Sequence, residues 1–325
     1  MRGVGRLLVW FAWLAGLAVI GFAAMVVLTP DRPRPATARP PSVAASPSPA
    51  ATASIVAAPV SHASPAPSSP GTTDCAAPGF DDAAKLNAVS LTSLAWAPFH
   101  RSEVGWEIYA PRIASEIGSS CAPDSPAFAR ALAGWQRAHG LAANGQLDAA
   151  TFGVMNTRWE LARPFVRLSQ TGVCPDPPPA TTLAWARPDE GYAGKPVQLR
   201  PAALAAYRRL VAAARAASPV LAADPRLLTI FSGYRDPRDD AARCEREGNC
   251  GNVSRALCSA HRTGLAMDLY LGAAPGLPPD TAADANRLYQ SRTPTYAWLI
   301  AHAAEFGFVN YPFEPWHWEW TGAAP

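Results

Sequence analysis

Two histidines and two carboxylates are the residues of this chain whose types and spacing could do chemistry. Asp268 follows His261 by seven positions, and His317 follows Glu314 by three positions in a later segment. Two imidazoles and one carboxylate can hold a zinc ion and leave its fourth position open, where a water is activated. A further carboxylate beside that position can take the proton of the water. These residues therefore predict a metal-dependent hydrolase with one Zn²⁺.

The segment that carries His261 and Asp268 predicts a loop followed by a strand. His261 is expected to leave the loop just before an apolar strand over Gly264–Leu271. Asp268 then lies within this strand, with Gly264 and Ala266 on the same face, because side chains alternate along a strand. Small residues on that face leave room for a metal and a substrate, so we expect this strand to carry one side of the site.

The segment from Glu314 to Trp320 predicts a bend followed by a second strand. Pro315 favours an extended backbone at Glu314, so a base and the metal ligand His317 can converge from the bend and the strand. The tryptophans that alternate here are expected to pack in the core and to exclude water from the site. Glu319 lies on the same face as His317, where it either orients His317 or forms an ordinary surface salt bridge.

A third motif, Ser232-Gly233-Tyr234-Arg235, follows an apolar strand predicted over Arg226–Phe231. An arginine at the end of a buried strand can clamp a carboxylate or stabilise the oxyanion of a tetrahedral intermediate. We therefore expect Arg235 to act on the substrate or the transition state.

The C-terminal half mixes helical and strand patterns without a regular alternation. Helices are predicted over Pro201–Ser218 and Thr295–Glu305, and strands over Arg226–Phe231, Gly264–Leu271 and Trp316–Trp320. This mixture predicts an α+β fold, in which a small antiparallel-sheet domain is preceded by a small helical domain.

The N-terminal segment leads to an expected location. An anchor is predicted over residues 7–29, because residues 7–28 have no charge and no polar side chain. As a helix they would span roughly 30 Å, the thickness of a bilayer's hydrocarbon core. Arg2 and Arg6 precede them, so the positive-inside rule keeps residues 1–6 in the cytoplasm. We expect an anchor that attaches the chain to the membrane as a single-pass protein, with the catalytic domain periplasmic or extracellular. A cleaved signal peptide is the alternative.

Composition divides the rest of the chain. Eleven of the 34 prolines lie between residues 30 and 74, in a Pro/Ala/Ser-rich stretch that predicts an extended linker. A helical domain is expected over 75–174, with Asp148 as an N-cap, followed by a linker over 175–186 and the catalytic domain over 187–325. The net charge of +3 is too small to indicate nucleic-acid binding.

Six cysteines favour disulfides over a metal site, because no CxxC pair occurs. Three precede the catalytic region and three lie within it: Cys75, Cys121, Cys174, Cys244, Cys250 and Cys258. Two odd-numbered groups imply either a bridge between the two regions or free thiols, and the sequence leaves the pairing open.

Two resemblances to known families follow from these motifs. Residues 113–158, with Trp135-Gln136, Gly140-Leu141 and Asn144-Gly145, resemble the peptidoglycan-binding domain that is often joined to cell-wall enzymes. The catalytic motifs, in their order along 187–321, resemble the zinc D-alanyl-D-alanine peptidases, namely the VanY-type carboxypeptidases and their dipeptidase relatives. This second resemblance implies an α+β metallopeptidase fold that acts on peptidoglycan.

The VanY-type resemblance also implies a role for each site residue. His261, Asp268 and His317 correspond to the zinc ligands, Glu314 to the general base and acid, and Arg235 to the arginine that anchors the substrate and the transition state. Asp236 and Asp240 depart from the Ser and Gln that the family commonly has there, which affects the expected end group of the substrate.

The expected reaction is release of terminal D-Ala from peptidoglycan stem peptides by a D,D-carboxypeptidase. Arg235 beside a free carboxylate favours it over an endopeptidase that cuts inside stems or cross-bridges. A wall-binding protein without catalysis is the other alternative, and Glu314 argues against it because a purely structural zinc needs no base.

Overall fold

The computed structural model describes residues 74–170, 172–248 and 258–322. The segments predicted as a cytoplasmic N-terminus, an anchor and, up to residue 73, a linker lie outside the described residues. All described residues belong to one compact unit. We call residues 74–170 the helical region and the remainder the sheet region.

The helical region packs five helices and a two-stranded antiparallel hairpin around an aromatic core. Its elements are α1 (Asp81–Ser93), β1 (Ala95–Trp96), β2 (Glu103–Val104), α2 (Ala110–Glu116), α3 (Pro126–Ala138), α4 (Ala149–Ala162) and α5 (Pro164–Leu168). Asp148 caps α4, because its side chain accepts a hydrogen bond of 2.7 Å from the Thr151 N–H. Phe128, Leu132 and Trp135 lie on the buried face of α3.

The sheet region begins with a second hairpin and continues as a four-stranded sheet with helices around it. Its elements are β3 (Ala184–Trp185), β4 (Gln198–Leu199), α6 (Pro201–Ala217), α7 (Pro219–Ala223), β5 (Ile230–Ser232), α8 (Pro237–Glu247), β6 (Ala266–Leu269), α9 (Asp284–Ser291), α10 (Pro294–His302), β7 (Phe308–Asn310) and β8 (His317–Trp320). The four-stranded sheet has the order β5-β6-β8-β7, and every neighbouring pair is antiparallel. The prediction of an α+β fold is confirmed.

Two buried arginines connect the helical region to the sheet region. Arg163, between α4 and α5, pairs with Glu319 of β8, and Arg287 of α9 pairs with Glu103 of β2. Between these pairs, the Phe99 ring lies 5.8 Å from Tyr311 and 5.3 Å from Phe313, measured between centroids. The two regions therefore share a packed interface, and the domain boundaries at 174 and 187 stay predictions.

The prediction of a single-pass membrane protein, with a periplasmic or extracellular catalytic domain, is corrected. Within the described part of the chain, no helix is both long and apolar enough to cross a bilayer. The longest helix there, α6, has 17 residues and rises about 26 Å, which is short of a hydrocarbon core of about 30 Å. Residues 7–29, on which the prediction of an anchor depended, lie outside the described residues.

Two disulfides join cysteines that both lie within the described residues, and Cys244 is disulfide-bonded as well. Cys75 pairs with Cys121 inside the helical region. Cys174, just after the helical region, pairs with Cys258, which directly precedes the motif that contains His261. Of the two possibilities that the sequence left open, a bridge between the two groups of cysteines is therefore the one that the structure has.

Candidate metal centre and active site

Strand register places two of the predicted ligands next to each other. Strands β6 and β8 are antiparallel neighbours in which Asp268 lies directly opposite His317. Directly opposed residues have Cβ atoms about 5 Å apart on the same face of the sheet. Both side chains are buried, so the backbone of the sheet fixes their approach.

A short 3-10 turn, Ala260–Thr263, brings His261 to the same place. Gly264 ends this turn with a φ of 68°, in the left-handed region where a residue with a side chain is strained. The Nδ1 atom of His261 lies 2.8 Å from the carbonyl oxygen of Gly233. That carbonyl accepts a hydrogen bond from Nδ1–H, which leaves the lone pair of Nε2 directed at the site.

Gly233 itself must lack a side chain. A Cβ atom on Gly233 would lie 2.4 Å from the side chain of Val197, which precedes β4, and 2.6 Å from the carbonyl oxygen of Gln198, the first residue of β4. The backbone of β4 therefore presses directly against the Ser-Gly-Tyr-Arg motif. This close approach holds the carbonyl group that orients His261.

The three predicted ligands converge on one point. His261 Nε2 lies 3.1 Å from Asp268 Oδ2, and His317 Nδ1 lies 2.9 Å from Asp268 Oδ1. One ligand atom from each of the three residues lies within 4.8 Å of the others. The carboxylate thus faces one nitrogen of each imidazole.

Opposing charges dominate the titration of this cluster. Burial alone would raise the pKa of Asp268, but the contacts with His261 and His317 outweigh burial and hold that pKa well below its usual range. Burial would lower the pKa of His317, but hydrogen bonding to Asp268 and proximity to Glu319 raise it to about 9. Asp268 is therefore held in its ionised form, which is the form of a carboxylate that binds a metal.

This donor set fits a zinc ion. Two imidazole nitrogens and one carboxylate oxygen are ligands that zinc uses in catalytic sites, with a fourth position left open. His261 donates its other nitrogen to a backbone carbonyl, as histidine ligands commonly do.

Glu314 lies at the edge of this cluster. Its Oε2 atom is 3.9 Å from His317 Nδ1, the nitrogen that faces Asp268, and its side chain is 30% exposed. The backbone holds it on both sides, because the Glu314 N–H donates to Tyr311 O and Glu314 O accepts from the His317 N–H, each at 2.9 Å. A carboxylate in this position reaches both solvent and the cluster.

Arg235 lies on the other side of His261. Its backbone N–H donates to the carbonyl oxygen of His261 at 3.3 Å. Its guanidinium donates to Asp240 Oδ1 at 2.5 Å and to the Ser259 hydroxyl at 2.8 Å. The side chain is 19% exposed, so part of the guanidinium remains open to a substrate.

Asp240 and Ser259 are the support of this arginine. Asp240 lies fully buried in α8, and burial raises its pKa more than its hydrogen bond with Arg235 lowers it. Ser259 also accepts a hydrogen bond of 3.2 Å from the His261 N–H, and its neighbour Cys258 is fixed by the disulfide with Cys174. The arginine and the histidine turn thus share one support.

Behind His317 lies Glu319, which is 1% exposed and is therefore not part of a surface salt bridge. Its Oε1 atom is 3.4 Å from His317 Nε2, and Arg163 donates to the same oxygen at 2.7 Å. Burial would raise the pKa of Glu319, but the charges of Arg163 and His317 lower it to about 2. Of the two roles considered from the sequence, this position agrees with a group that orients His317.

All five residues predicted from the motifs therefore lie in one site. His261, Asp268 and His317 converge on one point, Glu314 Oε2 lies 3.9 Å from His317 Nδ1, and Arg235 adjoins His261. The sequence did not reveal the roles of Asp240 and Arg163. Asp240 was visible only as a departure from a family pattern, and Arg163 carries no local signal because Glu319 is 156 positions away.

The comparisons with known proteins concern the same part of the chain. Residues 196–323 match the model of the VanY family, which is described as D-alanyl-D-alanine carboxypeptidase. The matched range contains all five site residues. A comparison with curated proteins found no match to the chain. The resemblance of residues 113–158 to a peptidoglycan-binding domain lies outside the matched range and stays a prediction.

This family implies a peptidase and suggests D-Ala-D-Ala carboxypeptidase activity on peptidoglycan. The motifs that carried the resemblance are the ones that meet in the site. The resemblance is thereby confirmed over residues 196–323, the part of the chain that matches the VanY family model.

Proposed function

We propose that the chain is a zinc-dependent D,D-carboxypeptidase that releases the terminal D-Ala of peptidoglycan stem peptides. The observation that carries this proposal is the convergence of His261, Asp268 and His317, with Glu314 Oε2 only 3.9 Å from His317 Nδ1. Three ligands and one spare carboxylate are the minimum set for metal-assisted hydrolysis.

In this proposal each side chain has a separate task. A zinc ion held by the triad would supply Lewis-acid polarisation of the scissile carbonyl and a lowered pKa of its water. Glu314 takes the proton of that water and passes it to the leaving amine. Trp318, on the face of β8 opposite His317, and Trp316 are both buried in the core on which this strand packs.

Arg235 supports the choice of a carboxypeptidase. Its guanidinium is partly exposed beside His261, while Asp240 and Ser259 hold it from behind. A fixed arginine with free N–H groups suits the terminal carboxylate of a stem peptide or the oxyanion of the transition state. A free substrate carboxylate exists only at a chain end, which favours cleavage there.

The test is digestion of purified peptidoglycan and of a synthetic stem pentapeptide that ends in D-Ala-D-Ala. We expect the zinc-loaded protein to release single D-Ala, identified by mass. The variant Glu314→Gln should keep its zinc and lose roughly 10²–10⁴-fold in kcat. Glu305→Gln, which changes an exposed glutamate of the same chain, is the matched control.

Three other outcomes would change the proposal. Larger peptide fragments would identify an endopeptidase, and binding to the wall without any product would identify a protein without catalysis. Near-native turnover by Glu314→Gln would show that another group acts as the base.

A further inference from the structure

Nε2 of His317, the ring nitrogen that lies away from Asp268, needs a hydrogen-bond acceptor. Nδ1 is the nitrogen that faces Asp268 and Glu314, so a metal in the triad would take its lone pair and leave the proton on Nε2. Nε2 is buried and forms no aligned hydrogen bond with any of the described residues. The group that it faces is Glu319 Oε1, at 3.4 Å.

Glu319 is in turn fixed by the helical region. Arg163 donates from Nε to Glu319 Oε1 at 2.7 Å, and the backbone N–H of Phe165 donates to Glu319 Oε2 at 2.9 Å. Both oxygens of the carboxylate are therefore held by residues that lie outside the range of the family match. No donor from the sheet region is needed to hold this carboxylate.

The local sequence explains why Arg163 points this way. It is followed by Pro164, which disfavours a helical backbone at the preceding residue, and Arg163 is extended, with φ −74° and ψ 128°. The chain therefore breaks between α4 and α5 at this residue. The guanidinium leaves the helix end, crosses the Tyr311 ring with its Cζ atom 4.1 Å from the ring centroid, and reaches β8.

We propose that Arg163 and Glu319 are positioning residues for the metal ligand His317, so that the helical region supplies part of the catalytic apparatus. The inference rests on the metal site of the proposed function. Glu319 accepts a hydrogen bond from His317 Nε2–H, which fixes the tautomer and the orientation of the ring. Arg163 holds the carboxylate of Glu319 in place. The helical region is thus a support of the metal site, whether or not it also binds the cell wall.

The second arginine pair at the interface is a control. It holds the two regions together without contacting His317, so it distinguishes positioning of this ligand from packing between the regions. Arg287 is fully buried, and it donates to Glu103 Oε1 at 3.1 Å and to the carbonyl oxygen of Phe313 at 2.8 Å. Glu103, like Glu319, is a buried glutamate paired with an arginine across the interface. Its side chain contacts Arg287 and Tyr109 and none of the triad.

The experiment compares Glu319→Gln with Glu103→Gln in the full chain. Zinc affinity is measured by competition with a chromophoric chelator, and stability by urea unfolding of the metal-free proteins. We expect Glu319→Gln to weaken zinc binding by roughly 10–100-fold, the usual effect of removing a partner of a histidine ligand. Glu103→Gln should stay within about threefold of the wild type while the two variants lose similar stability.

Arg163→Lys and Arg163→Met complete the series. Lysine keeps the charge and should retain most of the zinc affinity, whereas methionine removes the charge and should approach Glu319→Gln. If Glu319→Gln does not fold, the contrast between these two variants decides the question. Turnover should fall through kcat with little change in KM, because the substrate contacts are intact.

Equal zinc affinities in Glu319→Gln and Glu103→Gln, or in the two Arg163 variants, would overturn the inference and leave a structural contact only. Failure of the proposed function is distinguishable, because the wild-type chain itself would then bind no zinc or release no D-Ala.

Discussion

The site has two sides, and they are held in place differently. On the metal side the backbone brings the residues together; this side comprises His261, Asp268, His317 and Glu314. On the arginine side contacts between side chains do so; this side comprises Arg235, Asp240 and Ser259. Asp268 and His317 are opposed in the register of β6 and β8. Arg235 depends instead on an ion pair with Asp240 and a hydrogen bond to Ser259.

This difference means that the two sides respond differently to substitution. Strand register is maintained by the whole sheet, so a neighbouring side chain such as Glu319 can orient the His317 ring, but no single side chain sets where the backbones of Asp268 and His317 meet. The position of Arg235 depends on single partners, and Asp240 occupies a position where the family commonly has Gln. We therefore expect changes at Asp240 to alter substrate preference without altering the metal.

The largest effect is expected from His261→Ala, which removes a ligand on the metal side. Zinc affinity should fall by more than the 10–100-fold that loss of an outer partner costs, and activity should fall to background. Metal analysis of the purified protein measures the first and D-Ala release the second. His302→Ala, at an exposed histidine, is the control. Full zinc occupancy in His261→Ala would show that His261 is not a metal ligand.

A smaller effect is expected from Asp240→Asn on the arginine side. Loss of a charge-assisted hydrogen bond of about 1.5 kcal/mol leaves Arg235 less well fixed, so KM should rise about tenfold. Zinc affinity should be unchanged, because among the described residues the side chain of Asp240 pairs with Arg235 and Arg262 and with no metal ligand. Steady-state kinetics with the pentapeptide gives the measurement. A drop in zinc affinity equal to the change in KM would show that the two sides are not independent.

The smallest effect on activity is expected from Glu190→Gln, at another buried carboxylate that is paired with an arginine. Arg208 donates to both oxygens of Glu190, at 2.7 and 2.9 Å, and neither residue belongs to either side of the site. KM and zinc affinity should stay at wild-type values. The free energy of unfolding at pH 7 should fall by about 1–2 kcal/mol.

The same variant gives a pH dependence with a definite sign. Burial raises the pKa of Glu190, but hydrogen bonds from Arg208 and from the Arg187 N–H outweigh burial and lower it. A lowered folded pKa stabilises the protein above the unfolded value of about 4.3, and that contribution is lost as the pH falls through the folded pKa. Urea unfolding between pH 7 and 3 should therefore show a steeper acid loss in the wild type than in Glu190→Gln.

The metal side could be predicted from the sequence because its signals are local. His261 and Asp268 share one motif, Glu314 and His317 share another, and the α+β fold follows from the mixed patterns. Strand ends were less accurate. The predicted strand over Arg226–Phe231 begins only at Ile230, since Leu228 has a φ of 68° and the Thr229 N–H closes a turn onto Arg226.

The arginine side and the interface could not be predicted in the same way. Asp240, the partner of Arg235, was visible in the sequence only as a departure from the family pattern. An ion pair between two side chains has no periodicity that a sequence could show. The pairing of Arg163 with Glu319 depends on how two regions pack. Only the three-dimensional arrangement brings those residues together.

The disulfide between Cys174 and Cys258 shortens the path between these distant parts in the covalent structure. Eleven positions separate Arg163 from Cys174, and three separate Cys258 from His261. Through the sulfur atoms, the end of α4 and the metal-binding turn are therefore joined by a short tether, although the chain between the two cysteines spans 84 positions. The entropy lost on closing a loop grows with the length of the loop. Once this bond has formed, bringing the helical region to the metal site therefore loses only the entropy of closing a short loop.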